Sequence, residues 1–388
     1  MRTLNEVVIV AYGRSPIGKA VRGALAVEHP SKIGAEVLKA VLAKVDKLPH
    51  DQIDDVIVGC AFPEDVEGLN FARVMSQRLG LPDSVPAETI SRFSGSGLQS
   101  IILGANAIMS GQADAIVAGG IDVMSTLNVD VSSADPFVAD RADQLLSMAR
   151  RAEALAVKSG LTRGDLDAYA VNSHKKAAKA QGRGEMSKEI VPVTYTDKTG
   201  EVRALSVDEN VHGDIDRKGL AAAKPLFEEG ASVTAGNSAP DGDGAAFVVL
   251  MSAEKAKALG VTPIARFLGS AVEGEEALSS DAEGVKAAEK LLERLGFAVL
   301  DFDLFEIGEA HAPQAVSLIA KLGADERKVN PRGGAIAIGD PLGATGAIMM
   351  CRALSYLEDA HGKLGLLAMP IEGGMSMACA IERAEGAV

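Results

Sequence analysis

Two segments of the chain carry the same features in the same order, and that order narrows the fold more than any single residue does. Residues 94–120 run from a Gly/Ser-rich entry (SGSG) through an apolar helical pattern (LQSIILGANAIMSG) to a strand (ADAIVAGG). Residues 339–374 run from GDPLGATG through AIMMCRALSYLEDA to GLLAMPIEGG. Both units end in a double glycine, which suggests a duplicated α/β half. A chance likeness between two strand–helix–strand units explains the same pattern, and these segments alone do not choose between the two. The rest of the chain agrees in class: VVIVA at 7–11, KIGAEVLKAVLAKV at 32–45 and DDVIVGC at 54–60 alternate short apolar runs with a helical period. That alternation predicts an α/β protein with buried strands. With 388 residues, 47% of them hydrophobic, the chain has enough apolar material for one large or two medium cores.

Between the two units the texture changes. Residues 121–234 are charged and helical (SMARRAEALAVKSG, DLDAYAVNSHKKAAKAQGRG) and then loop-like through TYTDKTGEVRALSVDENVHGDIDRKG. This reads as an insertion that covers something. A net charge of -14 argues against nucleic acid as a partner, and an anionic substrate would need a local basic patch. MRTLNEVVIV leads straight into a predicted strand, and no apolar run approaches the roughly 18 residues of a membrane span, so a cytoplasmic chain with no membrane span is expected. Cys60, Cys351 and Cys379 are far apart, odd in number and set in apolar runs, which predicts small core residues rather than disulfides or a metal knuckle. No metal constellation is visible, and His174 and His212, in charged surroundings, are expected to be exposed.

Several motifs are missing. GDPLGATG has no lysine and is not a phosphate loop, no G-x-G-x-x-G follows a strand, and SGSG lacks the leading glycine of a G-x-S-x-G elbow. What remains is a set of Gly-rich loops: SRFSGSGLQS at 91–100, TAGNSAPDGDGAA at 234–246, EIGEAHAPQ at 306–314, NPRGGAIAIGDPLGATG at 330–346 and PIEGGMSMA at 370–378. SRFSGSGLQS sets Ser94 just before a long apolar helix, where developing negative charge is favoured.

These loops, in this order, resemble the thiolase family over nearly the whole chain. GRSPIGK at 13–19 is similar to that family's opening, LNFAR at 69–73 to its Q-N-x-A-R segment, and AGN, D-G-A-A and N-P-x-G-G-A-I-A-x-G-x-P-x-G-x-T-G match in order. The resemblance implies an α/β thiolase fold. In it, two duplicated βαβαβαββ halves form a five-layered αβαβα core, with an inserted loop domain that binds coenzyme A and assembly into homodimers or homotetramers. The expected division is a first half over 1–120 completed by 235–252, a loop domain over 121–234, and a second half over 253–388.

The departures from the family pattern fall on its chemistry. Where the family has N-R-x-C-x-S-G-L this chain places Ser94 at the cysteine. Asp340 takes the place of the G-H-P-x-G histidine, Gly308 and His311 those of the asparagine and phenylalanine of N-E-A-F, and Pro370 and Glu372 those of the second cysteine and the glycine two residues on. Claisen condensation needs a base beside a thioester carbonyl, which proline lacks, and a stabilised enolate, so ordinary reversible thiolase activity is not expected.

Two readings follow. In the first, Ser94, His311 and Asp340 line one pocket, with His311 taking the proton from Ser94 and Asp340 orienting the ring. Backbone N–H groups of Ser94 and Glu372 then form an oxyanion hole for acyl transfer or hydrolysis of an acyl thioester, or of a β-diketone. In the second, the chain is a non-catalytic thiolase-fold protein that binds acyl-CoA or a partner subunit. Ser94 is then an inert stand-in for cysteine, His311 fills the space of the lost phenylalanine, and Asp340 accepts backbone N–H groups. A Cys→Ser exchange at Ser94 alone would leave Gly308, Asp340 and Pro370 unaccounted for.

No tightly bound cofactor is expected, and a coenzyme A thioester is the expected small-molecule substrate. Arg217 and Lys218, with Lys224, form the candidate basic patch for it. Ser238 and Ala239 occupy the family's pantetheine-contacting A-G-N-x-S segment, with alanine at the serine itself, and Met148 stands where the acyl-pocket methionine is expected. Lys175 and Lys176 lie on a predicted helix and weigh less, and the family's G-P-x-P stretch is replaced by LSSDAEG at 278–284.

Overall fold

The computed structural model describes residues 4–127, 147–227, 231–274 and 284–385. LSSDAEG therefore lies outside the described residues except for Gly284.

The first half begins with β1 (Val7–Arg14) and β2 (Gly18–Lys19), then α1 (Pro30–Ala43), β3 (Asp55–Gly59), α2 (Phe71–Leu79), β4 (Ala87–Ile90), α3 (Ser96–Met109) and β5 (Ala115–Val123). The inserted segment carries α4 (Met148–Ser159), α5 (Arg163–Gly182), a β6–β7 hairpin (Val193–Thr196 and Val202–Leu205) and α6 (Arg217–Ala221). The chain then returns as β8 (Gly242–Ser252) to lie antiparallel between β1 and β5. After α7 (Ala253–Leu259) the second half follows with β9 (Ala265–Gly274), α8 (Val285–Leu295), β10 (Leu304–Ile307), α9 (Ala312–Leu322), a single turn α10 (Ala335–Ile338), α11 (Thr345–Ala360), β11 (Leu364–Ile371) and β12 (Met375–Arg383).

The pairings repeat. In the first half β1 and β5 each lie antiparallel to β8, and β5 continues parallel to β3 and β4. In the second, β9 and β11 each lie antiparallel to β12, and β11 continues parallel to β10, with a single parallel bridge from Phe305 to Val329 where β4 would have its counterpart. The duplication suggested by the two sequence units is therefore an internal repeat of topology. The halves join through a short antiparallel contact, Val8 with Arg266 and Ile9 with Ala265, so the strands form one path β10-β11-β12-β9-β1-β8-β5-β3-β4.

Strands buried on both faces read as unbroken apolar runs, and β1, β5, β8 and β11 are buried at every position. Three apolar cores account for the layers. Helices α1 and α2 cover the outer face of the first half, α8 and α9 that of the second, and α3 and α11 pack against each other, α3 on β3, β5 and β8 and α11 on β8, β10 and β11. The two central helices cross on glycine: a Cβ on Gly97 would stand 2.5 Å from the carbonyl oxygen of Gly343, and one on Gly346 would stand 2.6 Å from Leu98 Cβ. Only hydrogen at those positions lets the loops at both helix starts meet.

Two expectations about single residues divide here. Cys60, Cys351 and Cys379 are buried free thiols, as their apolar runs predict. His174 is buried rather than exposed, because α5 packs against α9, α10 and α6 and turns that face inward, and burial lowers its imidazole pKa to about 4. His212 is exposed, with Nε2 3.1 Å from Lys19 Nζ. Among the described residues, no helix is long and apolar enough to cross a membrane.

Candidate active site

Ser94 owes its position to a strained turn. Between β4 and α3, Phe93 takes φ 48°, a left-handed conformation that costs a bulky residue energy. The turn is held by the Ser96 hydroxyl, which accepts from Arg92 N at 2.8 Å and reaches Phe93 O at 2.6 Å, and by the tilted packing of the Phe62 and Phe93 rings with centroids 5.9 Å apart. Ser94 is 5% exposed. Its hydroxyl donates to Glu372 Oε2 at 2.6 Å, and its backbone N–H donates to the same oxygen at 3.0 Å. Glu372 sits at the turn between β11 and β12, where Gly373 and Gly374 take φ 77° and 74°, values that glycine adopts without strain.

Asp340 lies on the loop that leads into α11. Gly339, at φ 105°, ends α10, and the Asp340 backbone then pairs with the 240–242 loop, its N–H donating to Pro240 O at 2.9 Å and its carbonyl accepting from Gly242 N at 3.1 Å. The side chain accepts from the Thr345 hydroxyl. Burial raises its pKa to about 7, with the charges of Glu372 and Asp241 adding to the rise and the Thr345 bond opposing it. This carboxyl therefore keeps its proton to a higher pH than an ordinary aspartate does.

His311 caps the start of α9 and is half-buried. The loop before it is anchored by Glu309, whose carboxylate accepts from Tyr169 Oη at 2.8 Å, Ser173 Oγ at 2.8 Å and Asn330 Nδ2 at 2.7 Å. Gly308 packs on Met369 and Pro370, so this loop lies beside the end of β11. The His311 Nδ1 atom is 2.7 Å from Ser238 Oγ, and Ala239 N donates to Ala310 O at 2.9 Å. Burial lowers the imidazole pKa to about 4, so the ring is neutral at physiological pH.

The bonding differs from the relay expected from sequence. Among the described residues no hydrogen bond joins Ser94 to His311 or His311 to Asp340. Ser94 is paired instead with Glu372, His311 with Ser238, and Asp340 with Thr345. The Ser94 N–H, expected to serve an oxyanion, is held by the Glu372 carboxylate. Sequence reasoning placed Glu372 in the site for its backbone N–H and missed its side chain, which accepts from both the hydroxyl and the N–H of Ser94. Thr345 carried no signal of its own.

Of the residues expected to bind a cofactor or substrate, Arg217 and Lys218 begin α6 and are exposed, and Lys224 is exposed nearby. Ser238 and Ala239 lie against the His311 loop. Met148, at the start of α4, is 8% exposed and its sulfur is 3.9 Å from Gln314 Nε2, three residues beyond His311. One set of metal-ligand types occurs among the described residues: atoms of Cys60, Glu67 and Asp122 within 4.8 Å of one another. Burial raises the pKa of both carboxyls toward the protonated form, and Asp122 accepts from Gly343 N at 2.6 Å and Ala61 N at 3.1 Å. This buried acid pair ties the end of β5 to the turn before α11.

The comparisons with known proteins agree with this architecture. The pattern described as "Thiolase, N-terminal domain" matches residues 7–254 and "Thiolase, C-terminal domain" matches residues 261–383. A 3-ketoacyl-CoA thiolase of Bacillus subtilis is 40% identical over 98% of this chain and 100% of its own length. An acetyl-CoA acetyltransferase of Allochromatium vinosum is 38% identical over 98% and 100%. Among solved structures, the Bacillus anthracis acetyl-CoA acetyltransferase superposes with a TM-score of 0.91 at 32% identity, covering 99% of this chain and 100% of that one. With both halves of the pattern matched in order and relatives alike from end to end, this chain belongs to the thiolase family.

Proposed function

We propose that the chain transfers or hydrolyses the acyl group of a thioester through an acyl-enzyme on Ser94, without forming a carbon–carbon bond. The observation that carries this reading is the 2.6 Å hydrogen bond from the Ser94 hydroxyl to the buried Glu372 carboxylate beside the start of a 14-residue central helix. A hydroxyl is a weak nucleophile until a base takes its proton, and Glu372 is placed to do so. Ser94 Oγ then bonds to the acyl carbon, the carbon–sulfur bond breaks, and the thiolate leaves. In the second step a water or other acceptor gives up a proton to solvent as its oxygen or other attacking atom bonds to that carbon, the carbon–Oγ bond breaks, and Glu372 returns its proton to Oγ.

Relatives named 3-ketoacyl-CoA thiolase and acetyl-CoA acetyltransferase support an acyl-CoA as the thioester, with exposed Arg217 and Lys218 as the basic patch for its phosphates. No tightly bound cofactor enters these steps. Pro370, in place of the family's second cysteine, has no group able to move a proton, which argues against Claisen chemistry. A homodimer or homotetramer completes the reading, supported by the unpaired outer edge of β4 in the described sheet and tested by light scattering.

The test is intact-protein mass after incubation with a panel of acyl-CoAs and activated acyl esters. An added acyl mass in wild type that is absent in Ser94→Ala and much slower to appear in Glu372→Gln is expected. One observation favours the second reading, a binding protein without turnover: Glu372 Oε2 already occupies the Ser94 N–H that would steady an acyl oxygen. Calorimetric binding of acyl-CoA with neither adduct nor thiol release would overturn the catalytic reading in its favour.

A further inference from the structure

The hydrogen-bond chain behind His311 determines which ring nitrogen carries its proton. Ser238 is 6% exposed and its hydroxyl has two close neighbours, Thr234 O at 2.7 Å and His311 Nδ1 at 2.7 Å. A carbonyl oxygen has no hydrogen to give, so the proton on the first contact is the only one Ser238 owns. The second contact then needs its proton from the ring, and Nδ1 is the donor. Burial keeps the imidazole neutral, which leaves Nε2 with a free lone pair. Thr234 itself is held rigidly, its N–H donating to Asn237 Oδ1 at 2.9 Å and its hydroxyl accepting from Gly236 N at 3.2 Å.

We propose that Ser238 is a positioning residue that holds His311 as the Nδ1–H tautomer and thereby makes Nε2 the base for the acyl acceptor. The kinetic part rests on the Ser94 acyl-enzyme reading. In that step Nε2 takes a proton from water, the water oxygen bonds to the acyl carbon, the carbon–Oγ bond breaks, and Ser94 Oγ recovers its proton from Glu372. The imidazolium then returns its proton to solvent. Glu372 thus takes and returns the Ser94 proton, and His311 takes the proton of the acceptor.

The experiment is a two-bond nitrogen–proton correlation spectrum of the nitrogen-15-labelled chain, whose 6 histidines allow His311 to be assigned with a His311→Gln variant. A pyrrole-type Nδ1 and a pyridine-type Nε2 are expected in wild type, and Ser238→Ala, which removes the acceptor, is expected to shift the ring toward Nε2–H. An Nε2–H ring in wild type, or a spectrum indifferent to Ser238→Ala, overturns the assignment whatever the enzyme does. In kinetics, measured at saturating thioester, Ser238→Ala is expected to slow acyl release on the order of 100-fold and by more than it slows acyl loading, while Ser238→Thr, which keeps the hydroxyl, restores release. Slowed loading with normal release would overturn the assigned role. If Ser94 takes up no acyl group at all, the acyl-enzyme reading fails separately, and the ring spectrum still decides the tautomer.

Discussion

Ser94 and Glu372 make a pair whose purpose can be read from which atom is changed. Glu372→Gln keeps an oxygen for the Ser94 N–H but removes the group that accepts a proton. Acylation of Ser94 is expected to fall by about 100-fold or more, measured as the rate of adduct growth by mass. An unchanged rate would show that the carboxylate is no base. Asp340 offers a separate test through pH. In the fold its pKa is about 7 against an ordinary 3.8, so between those values the folded chain holds a proton that the unfolded chain has released. Raising the pH through that window therefore costs stability, by at most about 4 kcal/mol at about 1.4 kcal/mol per unit. Asp340→Asn, which still accepts from Thr345, is expected to gain on wild type as pH rises from 5 to 8 in urea titrations; parallel curves would refute the shift.

The two central helices place this chemistry because they approach without side chains between them. Gly97 and Gly346 lie where α3 and the start of α11 meet, and a methyl group on Gly97 would press on the Gly343 carbonyl. Backbone cannot step aside as a flexible side chain can, so Gly97→Ala is expected to cost about 1–3 kcal/mol. It should also slow acylation, since Ser94 stands three residues before Gly97. A urea midpoint unchanged from wild type would mean that the loops relax freely. The positive φ of Phe93 belongs to the same scale: the turn before α3 is held by Ser96 and the Phe62 ring rather than by the preference of its own residue.

Across the whole molecule, the inserted segment is fastened to the first half by buried charge. Arg14, at the end of β1, is fully buried and pairs with Glu189 at 2.9 Å and Asp208 at 2.8 Å, both also fully shielded at their side chains. Removing one member of such a group leaves uncompensated charge in the interior. Arg14→Met is expected to lose about 3–5 kcal/mol by urea denaturation, and adding Asp208→Asn is expected to recover part of it. A loss confined to a few tenths would show that the segment is held by its apolar contacts alone. The same segment supplies Tyr169 and Ser173 to Glu309, so the insertion also steadies the loop that carries His311.

The secondary elements were legible along the chain because each is a local pattern. The apolar run at 7–11 became β1, the helical period at 32–45 became α1, and the two Gly-entry units became α3–β5 and α11–β11. The ordered Gly-rich loops carried the family as well, since close backbone approaches such as Gly97 to Gly343 demand glycine wherever the sequence places them. His174 was misread because a charged neighbourhood in sequence says nothing about which helix face is covered. The wiring of the site was not legible for the same reason: Ser94 and Glu372 are 278 residues apart, and Ser238 and His311 are 73 apart. Sequence brought forward a serine, a histidine and two acids, Ser94, His311, Asp340 and Glu372, as candidates. Which of them share a proton depended on loops from two halves closing on one another, where a displacement of an ångström or two exchanges one hydrogen-bond partner for another.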